Sequence, residues 1–170
     1  MTDLAVVEKV ASHFVKNGFP ARSVKLFEYL SDGVKVMLLA NVQLTFGEVP
    51  IFGGRWPEAS KRGRKFVRRW NWLLVTSKLI HWGDGSDKRQ LHPQMVLRVD
   101  YDTRLSVQGR GLASLKRLTL QLVDGGVCYL PVKGGGAVTS TGEAITKLRA
   151  ILKSNEIAEG GASVSPSSPT

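Results

Sequence analysis

The residues of this chain that are best suited to chemistry form one basic and aromatic run between Arg55 and Trp72, RWPEASKRGRKFVRRWNW. Seven of the 24 Lys and Arg residues lie here against one acid, a local excess of six in a chain whose formal net charge is +10. Arginine presents a planar fork that bonds two phosphate oxygens, and lysine supplies a compact point charge. The run therefore predicts a surface for an anionic partner. The predicted anion-binding residues are Arg55, Lys61, Arg62, Arg64, Lys65, Arg68 and Arg69.

Two aromatic residues in the same run, Trp56 and Phe66, are predicted to contact that partner. Aromatic rings enter bilayer interfaces and stack on bases, and the alternative is that these two rings fix the run to a sheet by packing. Near an anionic membrane each cation contributes about 1 kcal/mol, so an excess of six charges can hold a domain on the surface. The same charges can bind nucleic acid by releasing counterions from its phosphates.

Residues typical of active sites are scattered. His13, His81 and His92 have no spacing that gathers two on one helical face, so structural or solvent-facing roles are predicted for them. Cys128 is the only cysteine, which excludes an intramolecular disulfide and a multi-thiolate metal site. The triple glycine at 134–136 lacks the Lys-Ser/Thr pair of a nucleotide loop. The sequence therefore predicts a non-enzymatic protein without cofactor or metal.

Length and composition favour one domain of ordinary soluble character. No apolar stretch approaches the roughly 18 residues of a membrane span, and the amino terminus lacks a secretory signal. The expected localisation is cytoplasmic, with peripheral attachment to a membrane compatible with the basic run. An anionic membrane surface or an acidic protein is the expected partner; nucleic acid and a second copy of the chain are the alternatives.

The amino-terminal half predicts a helix and then a long strand. Leu4, Val7, Ala11, Phe14 and Val15 recur at helical spacing, and this apolar stripe can pack on the sheet or pair with a neighbouring chain. Residues 22–31 fit either a strand or a short helix, and the helix is favoured. From Val34 to Phe46 apolar residues alternate with polar ones, which predicts a strand with one buried face. The basic run then forms a long connection to the next strand.

The carboxy-terminal half predicts several short strands and one helix. Residues 70–82 form a hairpin that turns at Thr76-Ser77-Lys78, 95–101 and 105–107 form strands, and Leu118–Val132 forms a hairpin that turns at Asp124-Gly125. Ser140-x-x-Glu143 reads as a capping box that opens an amphipathic helix. From Ser154 onward the Ser/Pro/Gly-rich sequence predicts a disordered tail.

This order of elements resembles a bacterial pleckstrin-homology-like or GRAM-like domain over about Val34 to Leu152. The most specific similarity lies in Leu73–Trp82, which is similar to the hairpin "L-x-x-T-x-x-x-L-I-x-W/F" of that family but has one residue fewer between Thr76 and Leu79. The next is the hairpin Leu118–Val132 with its following helix.

The resemblance implies a mainly β fold with helices, of the α+β class: a bent antiparallel sheet or partly open barrel closed by a carboxy-terminal amphipathic helix, with an extra amino-terminal helix. It divides the chain into a helical extension (1–31), the pleckstrin-homology-like domain (32–153) and the tail (154–170). Lipid-binding members of the superfold clamp phosphates with cations between their first two strands. Lys61 and the step Arg62-Gly63-Arg64 occupy that place here, so the expected ligand is a phospholipid head group. The further alternative is an oligomeric protein scaffold.

Overall fold

The computed structural model describes residues 3–16, 24–62, 65–84, 87–101, 118–132 and 135–160. These residues form an α+β fold with two antiparallel sheets, which confirms the predicted fold class at this level; the described strands do not close into one barrel. The elements are α1 (Asp3–Lys16), β1 (Lys25–Leu26), α2 (Asp32–Asn41), β2 (Pro50–Arg62), β3 (Lys65–Thr76), β4 (Ile80–Asp84), β5 (Asp87–Leu91), β6 (Val96–Tyr101), β7 (Leu118–Leu122), β8 (Val127–Leu130) and α3 (Gly135–Gly160), with 3₁₀ turns at Phe27–Tyr29 and Pro93–Met95.

Both sheets are meanders in which each strand pairs with the next one along the chain. The first has the order β1-β2-β3-β4-β5 and the second the order β6-β7-β8. The predicted turn at Thr76-Ser77-Lys78 joins β3 to β4, and Asp124-Gly125 turns the chain from β7 to β8. Gly125 has a φ of 85°, a conformation that an Asp-Gly step readily supplies. Both hairpin predictions are therefore confirmed.

The main hydrophobic core lies between the two sheets, α1 and α3. Val6, Val10 and Phe14 from α1 join it, and the rings of Phe14 and Phe52 have centroids 4.9 Å apart. Sequence reasoning left open whether the apolar stripe of the first helix packs on the sheet or pairs with another chain. The helix packs on the sheet through Val6, Val10 and Phe14, whereas Leu4 and Val15 of the predicted stripe are exposed.

A second, smaller core lies on the other side of the first sheet, beneath α2. It contains Leu30, Leu38, Trp72 and Leu74, whereas Leu73 and Val75 point into the main core. Successive residues of β3 are thus buried on opposite faces. Burial on both faces explains why this segment is almost continuously apolar.

Gly83 of β4 leaves room for the indole of Trp72 in this second core. A Cβ at position 83 would overlap the carbonyl oxygen of Asp87 and lie 2.9 Å from Trp72 Nε1. We expect Gly83→Ala to destabilise the protein by about 1–3 kcal/mol in urea unfolding, as overpacking does. Gly33→Ala is the matched control: its Cβ would meet open space, and the change should be neutral or stabilise by up to about 1 kcal/mol. Equal stability of the two variants would contradict the close packing.

The long strand predicted over Val34–Phe46 is wrong, because residues 32–41 form the helix α2. Leu38 is fully buried against the sheet, with Val34 and Met37 partly buried beside it, which is a helical spacing. Of the other apolar residues that suggested alternation, Val36 is 67% exposed and Phe46 is 100% exposed. The contact of Leu38 with the second core favours a helix over a strand for this segment. That contact depends on a strand more than thirty residues away in the chain.

Three other predictions need correction or stay open. In the ambiguous segment, residues 25–26 are a short strand and 27–29 a 3₁₀ turn. Helix α3 begins at Gly135, so Ser140 is no cap; its hydroxyl donates to the carbonyl of Gly136 one turn earlier. The same helix continues to Gly160, beyond the predicted start of the tail at Ser154. The strand at 105–107, the turn after α1 and residues 161–170 lie outside the described residues.

Candidate anion-binding arm

The basic run was predicted to be a long connection between strands. This prediction is wrong, because the run forms a β-hairpin. β2 and β3 pair in continuous register from Phe52↔Val75 to Arg62↔Lys65. Phe66, Val67 and Trp70 are residue types that favour strands, and pairing satisfies the backbone hydrogen-bonding groups of both segments. Because most residues of the run are cationic, its strand-forming residues do not stand out in the sequence. The connection between the strands is Gly63-Arg64, which lies outside the described residues.

The distal half of this hairpin, residues 57–62 and 65–70, is here called the basic arm. β4 pairs with β3 over Asn71–Val75, and β1 pairs with β2 at Phe52 and Gly53. Among the described strands, none pairs with the arm except its own two. Its six residue pairs extend past the neighbouring strands by about 20 Å at the usual rise per residue.

Backbone register brings the predicted cations together in two groups. Lys61 is paired with Phe66, and Arg62 with Lys65, at the distal end beside the connection that carries Arg64. Nearer the sheet, Arg68 is paired with Ala59, and Arg69 with the acid Glu58. For residues 58–62 and 65–69 the structure describes the backbone alone, so these are positions in the register.

Strand alternation distributes these positions over both sides of the arm. Lys61 and Arg68 fall on the side that carries Arg55 and Trp70. The positions on the other side are Arg62, Lys65 and Arg69. The arm therefore has cationic positions on both sides and the highest density of them at its far end.

Arg55 lies at the base of the arm, where it contacts an aromatic ring. Its guanidinium is 4.5 Å from the ring centroid of Trp70, a cation–π geometry, and both side chains are exposed. No ion pair to Arg55 occurs within the described ranges. Sequence reasoning identified Arg55 as a candidate but did not select Trp70, whose exposure only the strand register reveals.

Trp56 does not occupy a contact position. It is 5% exposed and belongs to the main core, so the packing alternative applies and the predicted role at the partner surface is corrected. In β2, Arg55 and Trp56 are adjacent and therefore point to opposite faces of the sheet. Since Arg55 faces solvent, Trp56 must face the core.

A buried hydrogen-bond cluster around Glu48 is the main polar feature that sequence reasoning missed. Glu48 Oε1 lies 2.8 Å from His81 Nε2 and accepts a hydrogen bond from the Thr76 hydroxyl at 2.6 Å. Its Oε2 accepts from the backbone N–H and the hydroxyl of Thr45 at 2.8 and 2.9 Å. Glu48 and His81 are 33 positions apart, so no local pattern links them. The predicted structural role of His81 agrees with this cluster.

The protonation of Glu48 follows from these contacts. Burial by itself would raise the pKa of the carboxyl group, but the hydrogen bonds from His81, Thr45 and Thr76 outweigh it and lower the pKa to about 2. Glu48 is therefore ionised near neutral pH. It joins the turn before β2 to the turn between β3 and β4, at the end of the sheet opposite to the tip of the arm.

Other reactive residues form no site in the part of the chain that the structure describes. No group of three His, Cys, Asp or Glu side chains there is arranged to hold a metal ion. Cys128 is a free, half-buried thiol, and burial is the main cause of its raised pKa. No described helix combines the length and apolar character needed to cross a membrane.

Comparison with protein-family models, with curated proteins and with solved structures finds no match for this chain. The likeness to pleckstrin-homology-like domains therefore depends on the order of elements and on the motif residues of the sequence alone.

Proposed function

We propose that this protein is a non-enzymatic binding module that engages an anionic phospholipid surface through the distal end of the basic arm. The observation that carries the proposal is the position of Lys61, Arg62 and Lys65 at the end of a hairpin that continues past its neighbours. The tip of such a hairpin meets a planar surface before the body of the domain does. Cations concentrated there approach lipid phosphates without displacing any other part of the fold.

The topology supports the same proposal. β2 to β5 form a four-stranded meander, β6 to β8 form a second meander, and α3 follows. This succession resembles the order in pleckstrin-homology-like domains, in which the first two strands carry the phosphate-binding cations. The basic arm occupies that place. α1, β1 and α2 precede the part of the chain that resembles this order.

The expected affinity is modest. Lys61, Arg62, Arg64 and Lys65 contribute on the order of 4 kcal/mol together at an anionic membrane, which corresponds to a dissociation constant of about 1 mM. Binding of this strength is reversible and sensitive to salt. Several copies on one membrane would strengthen it without new contacts, so an oligomeric scaffold is compatible with the same surface.

Neutralising three cations of the tip tests the proposal. We expect the triple variant Lys61→Gln, Arg62→Gln and Lys65→Gln to bind vesicles that contain phosphatidylserine about a hundredfold more weakly than the wild type, at about 1 kcal/mol for each cation. Vesicle flotation at low salt measures the bound fraction as a function of lipid concentration.

The matched control removes the same charge elsewhere. Lys9, Lys147 and Lys153 are exposed on α1 and α3, and their replacement by Gln leaves the net charge equal to that of the tip variant. This control should bind nearly as the wild type does. Equal losses in the two variants would mean that net charge matters and the arm does not, which would overturn the proposal.

A second candidate partner is nucleic acid, favoured by one specific observation. Cationic positions lie on both sides of a two-stranded ribbon, and the major groove of DNA admits such a ribbon between two rows of phosphates. In this case Arg68 and Arg69 along the arm would matter as much as the tip. Gel retardation of duplex DNA, abolished by Arg68→Gln with Arg69→Gln while vesicle flotation persists, would favour this candidate.

A further inference from the structure

A polar cavity of about 360 Å³ lies on the α2 side of the first sheet, away from the basic arm. The end of α2 and the residues that follow it form one wall of this cavity, and the strand β5 forms the other. β3 and β4 form its floor. The polar and aromatic residues that line it are Asn41, Gln43, Trp72, His81, Lys88, Arg89 and Gln90. The volume lies within the range of small-molecule sites.

Strand register explains why these side chains meet. Trp72, Gly83 and Lys88 are paired in one row across β3, β4 and β5, and Leu74, His81 and Gln90 form the next row. Residues paired across strands share a face of the sheet. Because Gly83 has no side chain, the indole of Trp72 extends over β4, and its Nε1 approaches the Gly83 backbone.

Trp72 Nε1 is a buried hydrogen-bond donor without an acceptor among the described residues. The residue is 2% exposed, and its N–H can only donate. A buried donor without a partner costs about 1–3 kcal/mol, so an acceptor in the cavity would be stabilising. Trp72 lines the cavity, so a residue of its wall carries a donor that the described part of the protein does not satisfy.

His81 is the second buried polar group of the wall, at 3% exposure. Its Nε2 is held by the ionised Glu48 on the side away from solvent, which fixes the orientation of the ring. The Glu48 charge is already surrounded by four hydrogen-bonding groups. Both His81 and Trp72 are thus held in place before any ligand arrives, as binding sites require.

The charge of the lining is positive. Lys88 is exposed and forms no ion pair with another described residue, whereas Arg89 is paired with Asp87 at 2.7 Å. Alternation places Asp84 and Asp87 on the opposite face of the sheet from Lys88. Two carbonyl groups near the end of α2 are satisfied, since Met37 accepts from the Asn41 amide and Leu39 from the Val42 N–H.

We propose that this cavity binds a small organic oxyanion, a phosphate monoester or a carboxylate, through the ammonium group of Lys88, the indole N–H of Trp72 and the amide of Gln90. The oxyanion supplies the acceptor that Trp72 lacks and the counter-charge that Lys88 lacks. His81 orients the remainder of the ligand by contact with its ring. The site is separate from the basic arm and does not depend on the function proposed for it.

Titration of the full-length chain with phenyl phosphate and with benzoate tests this site. The indole N–H signals of the four tryptophans are resolved in an ¹⁵N correlation spectrum and assigned through bonds on the wild type. We expect the Trp72 signal to shift saturably below about 10 mM of at least one acid, a range that corresponds to weak fragment binding. Benzyl alcohol, the neutral control, should not shift it.

Two variants separate this site from the arm. Lys88→Gln, on an exposed strand position, should weaken binding at least about tenfold, the equivalent of one charge-assisted hydrogen bond. The triple tip variant of the arm should bind the acids as the wild type does. The proposal is overturned if neither acid shifts the Trp72 signal, if benzyl alcohol shifts it equally, or if Lys88→Gln has no effect.

Discussion

Phe14→Ala is expected to destabilise the protein by about 3–5 kcal/mol, the usual cost of emptying a buried aromatic site. Phe14 is 1% exposed, and its ring lies 4.9 Å from that of Phe52, centroid to centroid. The cavity left by alanine would lie between α1 and β2, where backbone constraints on both sides limit collapse. Urea unfolding followed by circular dichroism measures the change as a shift in midpoint at constant slope.

Val15 provides the control within the same helix. Its side chain is 65% exposed, so Val15→Ala should change stability by no more than about 0.5 kcal/mol. The pair also tests the division at residue 31 that the sequence suggested. If Phe14→Ala were as mild as Val15→Ala, the first helix would be an appendage to an independent domain; a large cost would make it part of the core.

Glu48→Ala is expected to cost about 3–5 kcal/mol at pH 7, because it leaves the buried hydrogen-bonding groups of His81 and Thr76 without their partner. The buried side chains of His81 and Thr76 would each lose a partner, and so would Thr45 at the surface. The turn before β2 and the turn between β3 and β4 would also lose the group that joins them. Thermal and urea unfolding of the two proteins at pH 7 measure this difference.

The pH dependence has a defined sign. The pKa of Glu48 is lowered by folding from 4.5 to about 2, so the unfolded chain takes up a proton before the folded protein does. The stabilisation, on the order of 3 kcal/mol, is fully present above pH 4.5 and is lost as the pH falls toward 2. The stability difference between the wild type and Glu48→Ala should therefore narrow across this window.

Glu8→Ala removes an exposed carboxylate on α1 and serves as the control for charge. It should have little effect at pH 7 and should leave the shape of the pH profile unchanged. The lowered pKa would be contradicted if the difference in free energy of unfolding between the wild type and Glu48→Ala stayed constant from pH 5 to pH 2.5. It would mean that the cluster stabilises by packing alone.

Several local features could be predicted because they depend on neighbours in the chain. The turn at Asp124-Gly125 follows from the backbone freedom of glycine, and Gly125 adopts the positive φ that this turn uses. The hairpin of β3 and β4 follows from two apolar segments that flank a short polar turn. The first helix follows from the helical spacing of its apolar residues. Its buried face, however, is Val6, Val10 and Phe14, and Leu4 and Val15 of the predicted stripe are exposed.

The site could be predicted only in part. The position of the basic run is a property of the sequence, and Arg55 is exposed as expected. That the run is a paired hairpin depends on register between β2 and β3, which runs unbroken from the sheet to the tip. The same strand alternation buries Trp56, which was predicted to contact the partner, and exposes Trp70, which was not. Amino-acid composition alone does not distinguish the buried tryptophan from the exposed one.

The amino-acid sequence by itself determined where the charge is concentrated and where the tight turns fall, because these depend on residue type and near neighbours. Only the tertiary structure decided that residues 32–41 are a helix, that Glu48 is held by His81, and that Trp72 and Lys88 share one cavity wall. The physical reason is that burial is a relation between segments distant in the chain. A segment whose apolar and polar residues alternate as in a strand can still form a helix, when a neighbouring sheet offers an apolar surface that fits one face of that helix.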